Sequence, residues 1–356
     1  MQERRRVQVT GGGSYVVTLP KEWIRLHGIG KGSEVLMRLE PDGSLRLAPA
    51  GGRQRRPVTA RIKVEEGWSF WQIVRRVISH YIAGADIIEV VFGSAPGPQI
   101  ARQLRGFIGS RLIGVEVVEE SSSSIVLQVI ADTASLPLET SLRRLIKTVE
   151  FMLEDVITGL RRSLRDVLVE VEERDDVVDK FYMFISRQLT SVLAGYRLPS
   201  EIGLSSLADA SIIMMAAKHL ERSGDHVSRI ASTAIELLNH GIDFSRGCLA
   251  PLPGHLEEIA EQYRLATSTF LEPSPSRADE GIEKGMEIRR RNEELLKTIN
   301  CDREWEHKPI VVALVRNIIE SSKRLVDYSI DLLELSLNRS ILHELLGEGL
   351  RGQEGA

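Results

Sequence analysis

Two rows of residues spaced alternately by four and three constrain this chain more than any other feature. Ile213, Ala217, Leu220, Gly224, Val227, Ala231, Ala234 and Leu238 make one row. Leu168, Val171, Asp175, Val178, Tyr182, Ile185, Leu189 and Val192 make the other. Residues at that period share one face of an α-helix, and a helix with one apolar face must bury it against other helices. From Leu138 onward strand signals vanish, and the pattern predicts helices over 138–164, 166–194, 203–239, 255–271, 277–299 and 308–345. Pro199, Pro273, Pro275 and Pro309 fall in the breaks between them, where a residue without an N–H ends a helix. Two successive groups of three predict a duplicated bundle, over 137–240 and 255–346, joined by a Gly/Pro-rich linker at 241–254. Aromatic residues make up only 5% of the chain. Aliphatics must therefore fill the core, which suits a mainly α architecture.

The first 50 residues follow another rule. Arg6–Thr10 alternates, Gly11–Gly13 is a turn, and Tyr15–Leu19 is strand-like up to Pro20. Lys21–His27 suits one short helix with Pro20 at its first turn and Gly28 at its end. Glu34–Leu39 and Ser44–Leu47 flank Glu40-Pro41-Asp42-Gly43, a hairpin signal. A β piece this small is not expected to stand alone, so dimerisation is predicted. Residues 1–60 hold 11 Lys/Arg against 5 Asp/Glu, whereas the whole chain carries a net charge of −4. A basic end on an acidic chain points to a polyanionic partner for that end.

A basic linker, 51–57, leads to an α/β unit at 58–132. Strands are expected at Val58–Val64, Asp86–Phe92, Val115–Val118 and Ile125–Ile130, with helices at Ser69–Ala83 and Gly97–Gly109. It contains no chemical motif. The two cysteines, Cys248 and Cys301, lack metal-type spacing and suggest no disulfide framework, so a reducing compartment is expected. The N-terminus has no apolar signal core, and no run reaches the ~18–20 apolar residues of a membrane span. The expectation is a soluble, cytoplasmic protein.

The helical rows carry acids in unusual places. Asp175 interrupts one row, with Asp179 a turn later. Glu221 and Asp225 lie together at the edge of the other. Carboxylates at i and i+4 repel each other, and a multivalent cation between facing helices offsets that repulsion. The same acids have cationic neighbours: Lys218 precedes Glu221 by three, Arg222 precedes Asp225 by three, Arg229 follows Asp225 by four, and Lys180 follows Asp176 by four. A solvated, salt-bridged face explains this pattern as well, and spacing alone does not choose. His219 and His226 fall on other faces and read as solvated.

Leu220-Glu221-Arg222-Ser223-Gly224-Asp225-His226 resembles the "LERxGDxxxxI" segment of the PhoU family of phosphate-signalling proteins. Val171–Asp179 resembles that family's second acidic segment. The resemblance implies six helices in two three-helix bundles and a multinuclear iron or zinc cluster, with Asp175, Asp179, Glu221 and Asp225 as ligands. The second bundle departs from the pattern. It reads Ile319-Glu320-Ser321-Ser322-Lys323-Arg324, so Arg324 stands where the second acid belongs. Glu283 and Glu287 have the right spacing, but a second full site is not expected. The segment Gly13–Trp23 with Gly28–Val35 is similar to the SpoVT/AbrB swapped-hairpin fold, whose members are intertwined dimers that bind DNA. This implies Arg4, Arg5, Arg6, Lys21 and Arg25 as DNA contacts, mostly to phosphates. An AbrB-like head on a PhoU-like body is similar to archaeal PhoU-type regulators.

Together these readings predict a multidomain, mainly α, non-enzymatic regulator. Its dimeric head binds DNA, and its body senses phosphate status and negatively controls phosphate uptake. A second reading is an interaction protein that docks on a phosphate transporter ATPase or sensor kinase without touching DNA. A di-iron oxidase is the weakest reading, because neither Glu221 nor Asp175 is followed by His three residues later.

Overall fold

A computed structural model describes residues 3–39, 43–50, 57–93, 97–130, 136–298 and 308–351. The chain divides into two compact units. One comprises the N-terminal 56 residues and the C-terminal end from Leu346; the other spans Pro57–Leu345.

In the N-terminal unit, β1 (Gln8–Val9) pairs antiparallel with β2 (Tyr15–Val16). Helix α1 (Lys21–Leu26) follows Pro20, and β3 (Val35–Leu39) pairs with β4 (Leu45–Pro49). The first two strands are shorter than their alternating sequences predict. Each has one partner strand, and a two-stranded ribbon without a face to pack on is marginal. Among the described residues up to Ala50, none is buried. Tyr15 is 80% exposed and Met37 69%. Glu40–Asp42 and residues 51–56 of the basic linker 51–57 lie outside the described residues.

The larger unit opens with a four-stranded sheet in the order β5-β6-β8-β7: β5 Thr59–Lys63, β6 Ile87–Val91, β7 Val115–Glu120, β8 Ser124–Val129. Helix α2 (Phe70–Ile82) joins β5 to the parallel β6, and α3 (Gly97–Arg111) leads to β7. Ser69 caps α2 by accepting from the Gln72 N–H, while the Gln72 side chain accepts from the Ser69 N–H. This reciprocal cap starts the helix where the sequence places it.

Six helices follow: α4 Leu138–Arg162, α5 Arg165–Leu193, α6 Leu207–Asn239, α7 Leu252–Leu271, α8 Pro275–Thr298 and α9 Pro309–Arg351. The chain is thus multidomain and mainly helical, as the residue rows predict. Leu168, Val171, Val178, Ile185 and Leu189 are fully buried on α5, as are Ala217, Leu220, Val227 and Ala231 on α6. The six helices share one continuous apolar core running from Leu138 to Leu335. A largely buried pair reinforces the junction of the two bundles. Arg339 Nε donates to Asp209 Oδ1 at 2.7 Å, and the Arg339 guanidinium also reaches the Phe270 carbonyl.

Helix α5 has a second buried face that its single apolar row does not announce. Met183 and Phe184 belong to the core of the α/β unit. Arg187, on the same face, donates to the carbonyls of Tyr81 and Ala85 at 2.7 and 2.6 Å and to Asp86 Oδ1 at 3.0 Å. Gln188 donates to the Leu136 carbonyl. The sheet unit is therefore fixed to the first bundle.

The cysteine expectation is overturned. Cys248 is disulfide-bonded and sits in the short turn Gly247–Leu249. Pairing depends on the distance the fold sets between two Cα atoms, which sequence spacing does not report. Cys301 lies outside the described residues. The cysteines no longer argue for a reducing compartment. Among the described residues no helix is long and apolar enough to cross a membrane.

Candidate functional site

The carboxylates meet where α5 and α6 approach most closely. Gly224 of α6 faces Val178 of α5, and a Cβ at Gly224 would lie 2.9 Å from Val178 Cγ1. The missing side chain lets the two backbones close together. Val178 is followed by Asp179 and Gly224 by Asp225, so the same contact draws the acids toward each other. Carboxylate oxygens of Asp179, Glu221 and Asp225 all lie within 4.8 Å of one another. Asp175 sits one turn earlier on α5. It is outside that mutual group yet close enough for Asp179 and Asp225 to disturb its charge.

The environment opposes ionisation. Burial, then the charges of Asp179 and Asp225, push the Asp175 carboxyl up to about 7. Burial, with Glu221 and Asp225, raises Asp179 to about 6, partly offset by Arg111. Burial also raises Glu221, while Lys218 pulls it down. Asp175 Oδ1 and Glu221 Oε2 are buried without a hydrogen-bond partner. Buried polar atoms of this kind nearly always have partners.

Ion pairs account for part of the acid charge. Lys218 Nζ donates to Glu221 Oε1 at 2.7 Å and sits 4.7 Å from the centre of the Tyr182 ring. Arg222 donates to Asp225 Oδ2 at 3.2 Å. Lys218 and Arg222 thus pair with only two of the four acids, and the orphan oxygens remain. A donor set of one buried carboxylate, Glu221, and the half-buried Asp175, Asp179 and Asp225 fits a multivalent cation. Asp176 pairs with Arg111, from the end of α3 in the α/β unit, rather than with Lys180. That contact spans 65 positions and has no local signal. Gly224 was legible as a seam residue, though not as the residue that sets the separation.

The histidines are not simply solvated. His226 and His219 both pack on Tyr328 of α9, with ring centres 5.8 and 5.6 Å away. His226 Nδ1 is buried without a partner, and burial with nearby Arg229 holds its pKa down at about 4. His219 Nδ1 lies 3.3 Å from Asp331. Their side faces the second bundle because α6 packs on both sides.

The second bundle brings no matching cluster together among the described residues. Glu283, Glu287 and Glu320 are exposed. Asp327 lies 3.8 Å from both Arg289 and Arg324. Close helix approach recurs there with the glycines on α8. A Cβ at Gly281 would meet Leu333, and one at Gly285 would meet Ile330, both on α9. In the N-terminal unit Arg4, Arg5, Arg6, Lys21 and Arg25 are all exposed. Lys21 and Arg25 lie four apart on α1 and so share a helix face.

Fold and site define a mainly helical protein with a carboxylate cluster in its first bundle. Residues 142–234 match the family model of the PhoU domain. Residues 8–55 match the model described as antidote-toxin recognition MazE, bacterial antitoxin. Among solved structures, the chain is similar to PhoU from Pseudomonas aeruginosa, with a TM-score of 0.50 and 22% identity over 57% of this chain and 96% of that one. PhoU from Streptococcus pneumoniae, titled a phosphate transport system regulatory protein, aligns with a TM-score of 0.48 and 18% identity over 56% and 91%. No curated protein matches the chain. The chain therefore carries a PhoU domain behind an N-terminal segment of the MazE/AbrB kind. The PhoU domain points to phosphate-homeostasis regulation, and the N-terminal segment is compatible with DNA binding.

Proposed function

We propose that the protein is a phosphate-responsive regulator whose N-terminal unit binds DNA as a dimer and whose body senses phosphate status to repress phosphate uptake. The observation that carries the head's role is its lack of any buried residue among those described. Val9, Tyr15, Leu36, Met37 and Leu45 are exposed on strands that have one partner each. A second copy supplies the missing core, and the pairing doubles the set Arg4, Arg5, Arg6, Lys21 and Arg25. Electrophoretic shift on the protein's own promoter region tests this. Binding should weaken steeply with salt, and charge reversal at Arg4–Arg6 should abolish it. No salt-sensitive binding at micromolar protein removes the DNA role. Phosphate control that survives the charge reversal favours docking on a transporter ATPase or sensor kinase instead.

In the body, Asp175, Asp179, Glu221 and Asp225 hold a metal ion or small cluster. The buried orphan oxygens support this. Of the two expected metals, iron suits an all-carboxylate set better than zinc, whose sites usually include nitrogen or sulfur ligands. Elemental analysis of the purified protein beside an Asp175→Asn/Asp225→Asn variant tests the assignment. Equal metal content in both rejects it.

A further inference from the structure

Within the unit Pro57–Leu345, one side of the sheet carries exposed and half-buried side chains among the described residues. β5 and β6 are parallel, and β6 and β7 also run the same way, since both are antiparallel to β8. Right-handed crossovers advancing in one direction put α2 and α3 on the same side. Ile62, Ile88, Val90, Ile125 and Leu127 are buried on that side. The register sets the opposite face. Arg61, Glu89, Val126 and Glu119 align in one row across the four strands, and Thr59, Ile87, Gln128 and Glu116 in the next.

Charge is separated across this face. The β5 edge presents Arg61 and Lys63, and the β7 edge presents Glu116 and Glu119, all exposed. Ile87, Val91 and Val126 lie half-buried between them. Arg61 Nε reaches Glu89 at 3.1 Å. Lys63, Glu116 and Glu119 make no ion pair among the described residues.

We propose that this face packs on the same face of a second copy of the chain, about a two-fold axis parallel to the strands. Such an axis reverses the strand order, so β5 of one copy lies over β7 of the other and β6 lies over β8. The basic edge then meets the acidic edge twice, and the three apolar side chains fill the middle. A two-fold axis across the strands stacks β5 on β5 and β7 on β7, like charge on like charge. The pattern is therefore self-complementary in one orientation only, as an isologous interface requires. Sheets packed face to face lie ~10 Å apart, within reach of an Arg–Glu or Lys–Glu pair. Pairing through the β7 edge is disfavoured, because Val118 bulges out of register there and bulges blunt an edge.

Size limits the strength of the contact. Four strands of five residues present roughly 300 Å² per copy, well under the ~800 Å² per partner of a stable interface. The contact therefore rests on the dimeric head proposed above, which tethers two copies. The chain from Ala50 to Pro57 extends at most about 25 Å, so the effective concentration of the second face is high.

The test uses full-length chains carrying Val126→Cys, a short bis-maleimide crosslinker at low salt, and light scattering for mass. Arg61→Glu/Lys63→Glu makes both edges acidic, and Glu116→Lys/Glu119→Lys makes both basic. As homodimers, each should crosslink roughly tenfold less than the parent, because like charges oppose at both contacts. Co-expressed and purified as the mixed dimer, they should crosslink like the parent, because both contacts are then attractive. Dimers whose crosslinking ignores these swaps overturn the sheet contact alone. A monomeric parent overturns the dimeric head, and this contact with it.

Discussion

At the residue scale, the carboxylate centre is held in tension with its own charge. The Asp175 carboxyl stands at about 7, against ~3.9 for an unperturbed Asp. Between these values the metal-free folded state binds a proton that the unfolded state has released. Stability therefore falls as pH rises through this window. After chelation, the melting temperature should drop from pH 5 to pH 8, and Asp175→Asn should flatten the drop. Added ferrous or manganous ion should raise it most at pH 8, where the acids are ionised and the repulsion largest. A melting temperature that climbs from pH 5 to pH 8 in the metal-free parent contradicts the arrangement. Gly224 makes a second case. Gly224→Ala places a methyl 2.9 Å from Val178 and must push α5 from α6, costing about 1–3 kcal/mol as overpacking does. Denaturant titration measures that loss, and bound metal should fall in parallel. An unchanged midpoint and metal content would show that another contact sets the acid spacing.

At the element scale, periodicity reports one face of a helix well and a second face poorly. The helix predicted over 166–194 matches α5 to within one residue at each end, and the row Leu168–Val192 marks its bundle face. It says nothing of Met183, Phe184 and Arg187, whose burial depends on strands and helices a hundred positions away. The acids were legible because pairs four apart are unfavourable without a partner. Arg111 beside them was not, since no local pattern ties the end of α3 to α5. The cysteine pairing was hidden for the same reason. The N-terminal strands were over-read because alternation predicts a pleated ribbon, whereas length depends on what the ribbon packs against. Arg187 gives the element-scale prediction. Its guanidinium satisfies two carbonyls at the end of α2 and one Asp86 oxygen. Arg187→Met keeps the stem and removes those donors, so the loss should be about 3 kcal/mol, as when one partner of a buried pair is deleted. Hydrogen exchange should quicken first in the Tyr81–Ala85 turn. Equal exchange rates in variant and parent would mean that apolar packing by Met183 and Phe184 holds the unit alone.

At the scale of the whole molecule, the two units differ in how they acquire a core. Pro57–Leu345 contains its own: a continuous apolar cluster through six helices and a second beneath the sheet. The N-terminal unit has no buried residue among those described. Its exposed Val, Leu, Met and Tyr side chains repay the entropy of folding only when another surface covers them. If the proposed dimer supplies that surface, folding and association of the head are one event, and its stability should depend on concentration in a way the body's does not. Calorimetry of the full chain should show two transitions. The head transition should move to higher temperature as protein concentration increases a hundredfold, with the main helical transition nearly fixed. Promoter DNA should shift the head transition further and lose that effect at high salt, because phosphate contacts release counterions. A head transition that ignores both dilution and DNA would leave the body as the sole functional unit and return the protein to the docking reading.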